Sequence, residues 1–236
     1  MRSFFVSFLI ISGMTALLIL GDRHFNRKIP PVITTKVTIT EGMTVRDINK
    51  LLLEKGVLDE ESIPKELEGY LFPDTYEFYV PQNSKTVIKK IRDNFDKKVL
   101  PILGNANMGE IITIASLVEK EAISSTDKKT IVGIINNRLK SGIPLQIDAS
   151  ICYIKEEDNC IPIKSEDLKI KSPYNTYLNK GLPPGPISNP GLESIEAALR
   201  PIKSKYLFYI TNPKTKGAIF SVTAEEHNRN VEKYLR

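Results

Sequence analysis

The stretch GEIITIASLVEKEAI, residues 109–123, places carboxylates where acid–base chemistry could use them. At about 100° per residue, Ile111, Ile112, Ile114, Ala115, Val118 and Ala122 fall on one apolar stripe. Glu119 lies on the flank of that stripe, beside Ile112 and Ala115, and Glu121 points away from it. A carboxyl group held against apolar side chains loses hydration. Its charged form is then disfavoured, and it becomes available as a proton donor near neutrality. The competing reading is that EKE is a solvated helix end, and this window by itself favours that reading.

Few other residues offer chemistry. His24 and His227 are the only histidines, which disfavours a histidine-centred triad. Cys152 and Cys160, in CYIKEEDNC, lack the CxxC spacing of metal and redox motifs. They can close a short disulfide loop in an oxidising compartment, or stand as two unpaired thiols. The segment SPYNTYLNKGLPPGPISNPG, residues 172–191, is long for a loop, and such loops are usually functional. Tyr174 and Tyr177 offer faces for sugar rings, and Asn175 and Thr176 offer partners for hydroxyls. A rigid, proline-braced connector fits its composition equally well. No phosphate loop, dinucleotide fingerprint, zinc cluster or RNA-binding motif is present. Of the formal charge of +5, Arg2, Asp22, Arg23, Arg27 and Lys28 account for more than half. The rest of the chain is nearly neutral with mixed signs, so no phosphate-binding stripe is implied and no nucleic-acid partner is expected.

The elements that must position these groups follow from periodicity and punctuation. Ser3 to Leu20 is uncharged and apolar, and as a helix would span roughly 27 Å, close to the bilayer core. It reads as an uncleaved signal anchor over residues 1–21, followed by a linker over 22–32. Basic residues flank both sides, so the positive-inside rule leaves the orientation open. Residues 33–40 alternate as a strand, and a helix capped by Thr44 and stopped by Gly56 follows. An aromatic-rich turn and strand, LEGYLFPDTYEFYVP, comes next. Helices are then expected over 84–100, ending before Pro101, over 109–123 and over 126–140. IPLQIDAS reads as extended. A helix at 192–199, strands KYLFYIT and GAIFSV, and a helix at 223–235 complete the chain. The fold class expected is α+β or mixed α/β, with a short sheet flanked by helices.

Several of these segments together resemble the MltG (YceG-like) endolytic murein transglycosylases: LEGYLFPDTYEF, ASLVEKEA, VGIINNRLKSGIPLQIDASICY and SPYNTYLNKGLPPGPISNPGLESIEAAL, in that order. The resemblance runs from about Glu68 to the carboxyl end. It implies a membrane-anchored, extracytoplasmic enzyme at the bacterial inner membrane that acts on peptidoglycan glycan strands during wall assembly. Contact with the wall-synthesis machinery is a further implied partnership. The Glu of the EKE motif is the family's acid, and the position matched to it is Glu119, against the solvated reading of that window. Gln146, Asp148, Ser172, Tyr174 and Asn175 match polar motif positions and are expected to contact substrate. Asn137 and Arg138 match the family's NRL, with packing or orientation expected of Arg138. Ala122 and Ala149 stand where the family commonly has Thr and Pro. Only ITEGMTVRDINKLLLEKGVL resembles part of a LysM-like module, so residues 33–66 are expected to be a small β-α remnant and 67–236 the catalytic domain. A lytic transglycosylase needs one carboxylate, because the sugar's own C6 hydroxyl attacks C1 and leaves a 1,6-anhydro-MurNAc end. It requires no metal or organic cofactor. A hydrolytic muramidase using Asp148 as a second carboxylate, and a membrane-tethered wall-binding scaffold, are the alternatives.

Overall fold

The computed structural model describes residues 33–60, 62–157, 160 and 162–235. The anchor and linker expected over 1–32 lie outside the described residues. Among the described residues no helix is long and apolar enough to cross a membrane.

Strand β1 (Thr34–Ile39) pairs antiparallel with β2 (Asp74–Tyr79), in register from Thr34↔Tyr79 to Ile39↔Asp74. The period-2 alternation turns Val37, Ile39, Tyr76 and Phe78 inward. Helix α1 (Val45–Glu54) starts at a reciprocal capping box. The Thr44 side chain accepts from Asp47 N, and the Asp47 carboxylate accepts from Thr44 N. The α1 residues Ile48 and Leu52 fill the space under the two strands with Leu71, Val87 and Ile91. The domain boundary expected after residue 66 therefore falls between the two strands of one sheet. From Thr34 onward the chain is a single unit.

Helix α2 (Ser84–Leu103) serves two cores. Val87 and Ile91 belong to the cluster under β1 and β2, while Phe95, Val99 and Leu103 belong to a second, larger cluster. This i, i+4 stripe explains why α2 runs through Pro101 instead of stopping before it. The proline sits on the exposed face of the last turn, and burial of Leu103 one half-turn on holds that turn closed. The larger core is built by α3 (Met108–Glu119), α4 (Ser125–Lys140) and α6 (Leu192–Leu199), with α6 packed against both of the others. Ser124 caps α4 by accepting from Asp127 N. Between them α5 (Asp148–Lys155) occupies part of the stretch expected to be extended. A second hairpin, β3 (Phe208–Thr211) with β4 (Ala218–Ser221), and helix α7 (Ala224–Leu235) close the chain. The architecture is α+β, with two short antiparallel sheets among helices.

One buried residue ties the two cores together. The Asn189 side chain donates to Met43 O (2.9 Å) and Glu68 Oε1 (3.1 Å) and accepts from Leu71 N (2.8 Å). Its backbone N–H also donates to Met43 O, and its carbonyl accepts from Gly42 N.

Candidate active site

The two carboxylates of EKE face different surroundings. Helix α3 ends at Glu119, and the chain then tightens: Lys120 N donates to Leu117 O and Glu121 N to Val118 O, both three residues back. This i−3 pattern turns the chain faster than 100° per residue. The helical projection that put Glu121 on the solvated side therefore fails at that residue.

The Glu119 side chain is largely covered, with 7% of it exposed, but not by apolar groups alone. Lys128 Nζ, on α4, lies 3.2 Å from Oε1 and also 3.8 Å from Glu193. The Gly191 N–H, at the start of α6, donates to Oε2 at 2.9 Å. A Cβ at Gly191 would meet the carboxylate end of the exposed Glu41 side chain, which would have to swing aside. Both oxygens of Glu119 are thus engaged. The residue lines a groove of about 610 Å³ with Glu41, Ala122, Ile123, Lys128 and Glu193.

Glu121 belongs to another cluster. Tyr209 Oη, from β3, donates to Glu121 Oε2 at 2.9 Å. Burial pushes the Glu121 carboxyl up to about 7; the Tyr209 hydroxyl opposes the shift, neighbouring Asp148 adds to it, and the Ala149 N–H in the first turn of α5 opposes it. Asp148, the first residue of α5, accepts a short hydrogen bond from Tyr177 Oη. Gln146 adopts a left-handed backbone (φ 54°), and its Oε1 accepts from Arg138 Nη1 at 3.0 Å. Arg138 is a central clamp. Its Nη1 also donates to Pro144 O and Leu145 O, its Nε donates to Leu207 O at 2.7 Å, and its guanidinium stacks 5.1 Å from the Phe208 ring. Asn137, beside it, donates to Ser204 O and Tyr206 O. The NRL segment therefore fastens β3 and the 144–146 loop to α4.

The remaining expected contact residues divide. Asn175 is fully buried; its Nδ2 donates to Leu168 O and Ile170 O, and its Oδ1 accepts from Tyr177 N. Every polar atom of its amide is spent inside the protein, so the expected substrate contact is corrected to a brace of the 168–177 loop. Thr176 is likewise buried against Ile147 and Ser150. Ser172 Oγ accepts from Tyr174 N, and the partly exposed Tyr174 ring lies 5.1 Å from Tyr153. Tyr153 in turn lines a cavity of about 780 Å³ together with Lys120, Ala149, Ile187 and residues of the β1–α1 connection. Lys120 and Ala149, which lie on this lining, are neighbours of Glu121 in the chain and in space respectively. Cys152 and Cys160 are joined by a disulfide, Cα–Cα 5.4 Å, on the same wall. Among the described residues no group of His, Cys, Asp and Glu is arranged to hold a metal ion. Tyr209 escaped the sequence reading, since FYIT is an ordinary strand pattern and only the fold brings it to Glu121; Tyr177, expected to offer a face to a sugar ring, gives its hydroxyl to Asp148.

Glu121 and Asp148, each hydrogen-bonded to a tyrosine hydroxyl, thus lie close to the cavity that Tyr153, Lys120 and Ala149 line. The chain belongs to the YceG-like family, whose model matches residues 10–233. It is 40% identical over 184 residues to an endolytic murein transglycosylase of Bacillus subtilis, covering 74% of this chain and 50% of that protein. It is 34% identical over 193 residues to an endolytic murein transglycosylase of Streptococcus pneumoniae, covering 78% of this chain and 35% of that protein. The chain thus spans half or less of the length of these curated relatives. The crystal structure of a YceG-like protein of Listeria monocytogenes superposes with a TM-score of 0.72 at 32% identity, covering 84% of this chain and 76% of that one.

Proposed function

We propose that the chain cleaves the MurNAc-GlcNAc β-1,4 bond of peptidoglycan as an endolytic lytic transglycosylase, with Glu121 as the acid–base residue. The observation that carries this is the contrast within EKE. Glu121 is pushed up to about 7 and so holds a proton near neutrality, whereas both oxygens of Glu119 are engaged by Lys128 and Gly191. The resemblance directs the acid to this motif, and the surroundings favour its second Glu. Glu119 then fastens the end of α3 to α4 and to the start of α6.

The reaction needs no water. Glu121 gives its proton to the glycosidic oxygen as the C1–O bond breaks. The C6 hydroxyl of the same MurNAc attacks C1, and its proton returns to the Glu121 carboxylate. A group that titrates near neutrality performs both transfers efficiently. Asp148, held by Tyr177, faces the positive charge that develops on the sugar ring. Gln146, Ser172 and the Tyr153–Tyr174 pair supply contacts along the glycan. Residues 1–21 anchor the protein in the membrane with the rest on the extracytoplasmic side, and residues 33–66 are a LysM-like remnant.

Mass spectrometry of digested glycan tests this. Wild type and Glu119→Gln should yield 1,6-anhydro ends, and Glu121→Gln should yield none. Reducing ends would assign hydrolysis, with Asp148 as second carboxylate, and absence of cleavage by wild type would leave a wall-binding scaffold. Loss of cleavage in Glu119→Gln with activity kept in Glu121→Gln would move the acid to Glu119.

A further inference from the structure

We propose that Tyr209 is a positioning residue for proton transfer: its hydroxyl pins Oε2 of Glu121, so that Oε1 carries the mobile proton. The inference rests on Glu121 being the acid. A protonated carboxyl group has one oxygen that bears hydrogen and one that accepts. Tyr209 Oη donates to Oε2 at 2.9 Å. Because burial, followed by neighbouring Glu121, pushes Tyr209 well above the usual phenol range, the residue stays a donor at any working pH. Oε2 can then accept in both protonation states, and the proton is carried and reclaimed at the other oxygen.

The donor is fixed by more than its own contact. The strand carrying Tyr209 is approached through Ser204, Tyr206 and Leu207, whose carbonyls are held by Asn137 and Arg138 on α4. The same Arg138 holds the carbonyls of Pro144 and Leu145 and the side chain of Gln146, immediately before Asp148. One guanidinium thus sets both walls around Glu121. The groups facing that carboxyl are Tyr209 from β3, and Asp148 and the Ala149 N–H from α5. Tyr177, from the 172–179 loop, and Arg138 stand next behind.

The hydrogen bond favours the ionised form of Glu121, so its loss must raise the pH at which the acid is spent. The test is the pH dependence of kcat/KM for the full chain on purified glycan. Tyr209→Phe should lower the plateau at least about tenfold, with KM little changed, and move the alkaline limb up by about one unit. Replacement of Tyr209 by 3-fluorotyrosine, a stronger donor of the same shape, should move that limb down. An alkaline limb that stays in place in both proteins overturns the proposal, and if Tyr209→Phe does not fold, the fluorinated protein alone decides. Glu121→Gln is assayed alongside. If it is active, the assignment of the acid fails; if it is inactive while the Tyr209 variants keep the wild-type profile, only the role of Tyr209 fails.

Discussion

Replacing Asn189 with Ala should cost about 3 kcal/mol of folding stability. The side chain makes three hydrogen bonds, but their partners are not equally dependent on it. Met43 O keeps the Asn189 backbone N–H, and Glu68 Oε1 keeps Val45 N, so each of those losses costs roughly 0.5–1 kcal/mol. The Leu71 N–H, itself buried, has the Asn189 side-chain oxygen as its acceptor at 2.8 Å and is left stranded, at about 1–3 kcal/mol. Urea unfolding of the full chain, followed by far-ultraviolet circular dichroism, should show a lowered midpoint at unchanged slope. In a thermal scan the loss corresponds to roughly 9 °C at about 3 °C per kcal/mol for a domain of this size. A loss below about 1 kcal/mol would refute the reasoning, because it would mean that Leu71 N–H finds another acceptor without cost. Asn189→Asp separates the contributions: it keeps an acceptor for Leu71 but sets a second carboxylate against Glu68, and should be harmful mainly above neutral pH.

Lys128→Met should destabilise by about 3–4 kcal/mol, because it leaves Glu119 buried beside an apolar side chain; adding Glu119→Gln should restore much of the loss in a double-mutant cycle. Burial raises both Glu68 and Glu121 to about 7, so the folded state holds protons that the unfolded state releases near 4.5. Stability should therefore be fullest below about pH 4.5 as far as these groups are concerned, and fall as pH rises to about 7; Glu121→Gln should remove up to about 3 kcal/mol of that decline in pH-dependent urea titrations. Gly69→Ala should be severely destabilising in the same assay, since φ is 85° and a Cβ would lie 2.5 Å from Pro186 Cγ and 2.8 Å from Ile112 Cγ2.

Local signals in the sequence marked much of the framework. The Thr44 cap, the start of α2 and the helix at Leu192–Leu199 are each determined within a few residues, and the structure has them. What stayed hidden depends on partners far away in the chain. Pro101 ends a helix by local rules, yet burial of Leu103 carries α2 past it. Asn175 has the composition of a sugar contact, and only the path of residues 168–170 shows that its amide is already used. Glu121 was misplaced by a projection that assumed a regular helix up to residue 123, when α3 closes with tighter hydrogen bonds after Glu119. The pairing of Tyr209 with Glu121 spans 88 positions and leaves no periodic trace.

The Asn189 tie also bears on the order in which the protein can be made. Its side chain reaches Leu71 across 118 positions and Met43 across 146. As the chain emerges from its amino end, β1, α1 and β2 are complete long before the residue that holds them to the rest. Until residue 189 arrives, the Leu71 N–H has no acceptor from that side chain and Glu68 lacks one of its donors. Joining the two cores is thus a late event, delayed by sequence separation and by the loop closure it demands. Over the 118 positions between Leu71 and Asn189 the growing chain carries that region unfinished, exposed to whatever chaperones or proteases meet it, until a single asparagine seals it.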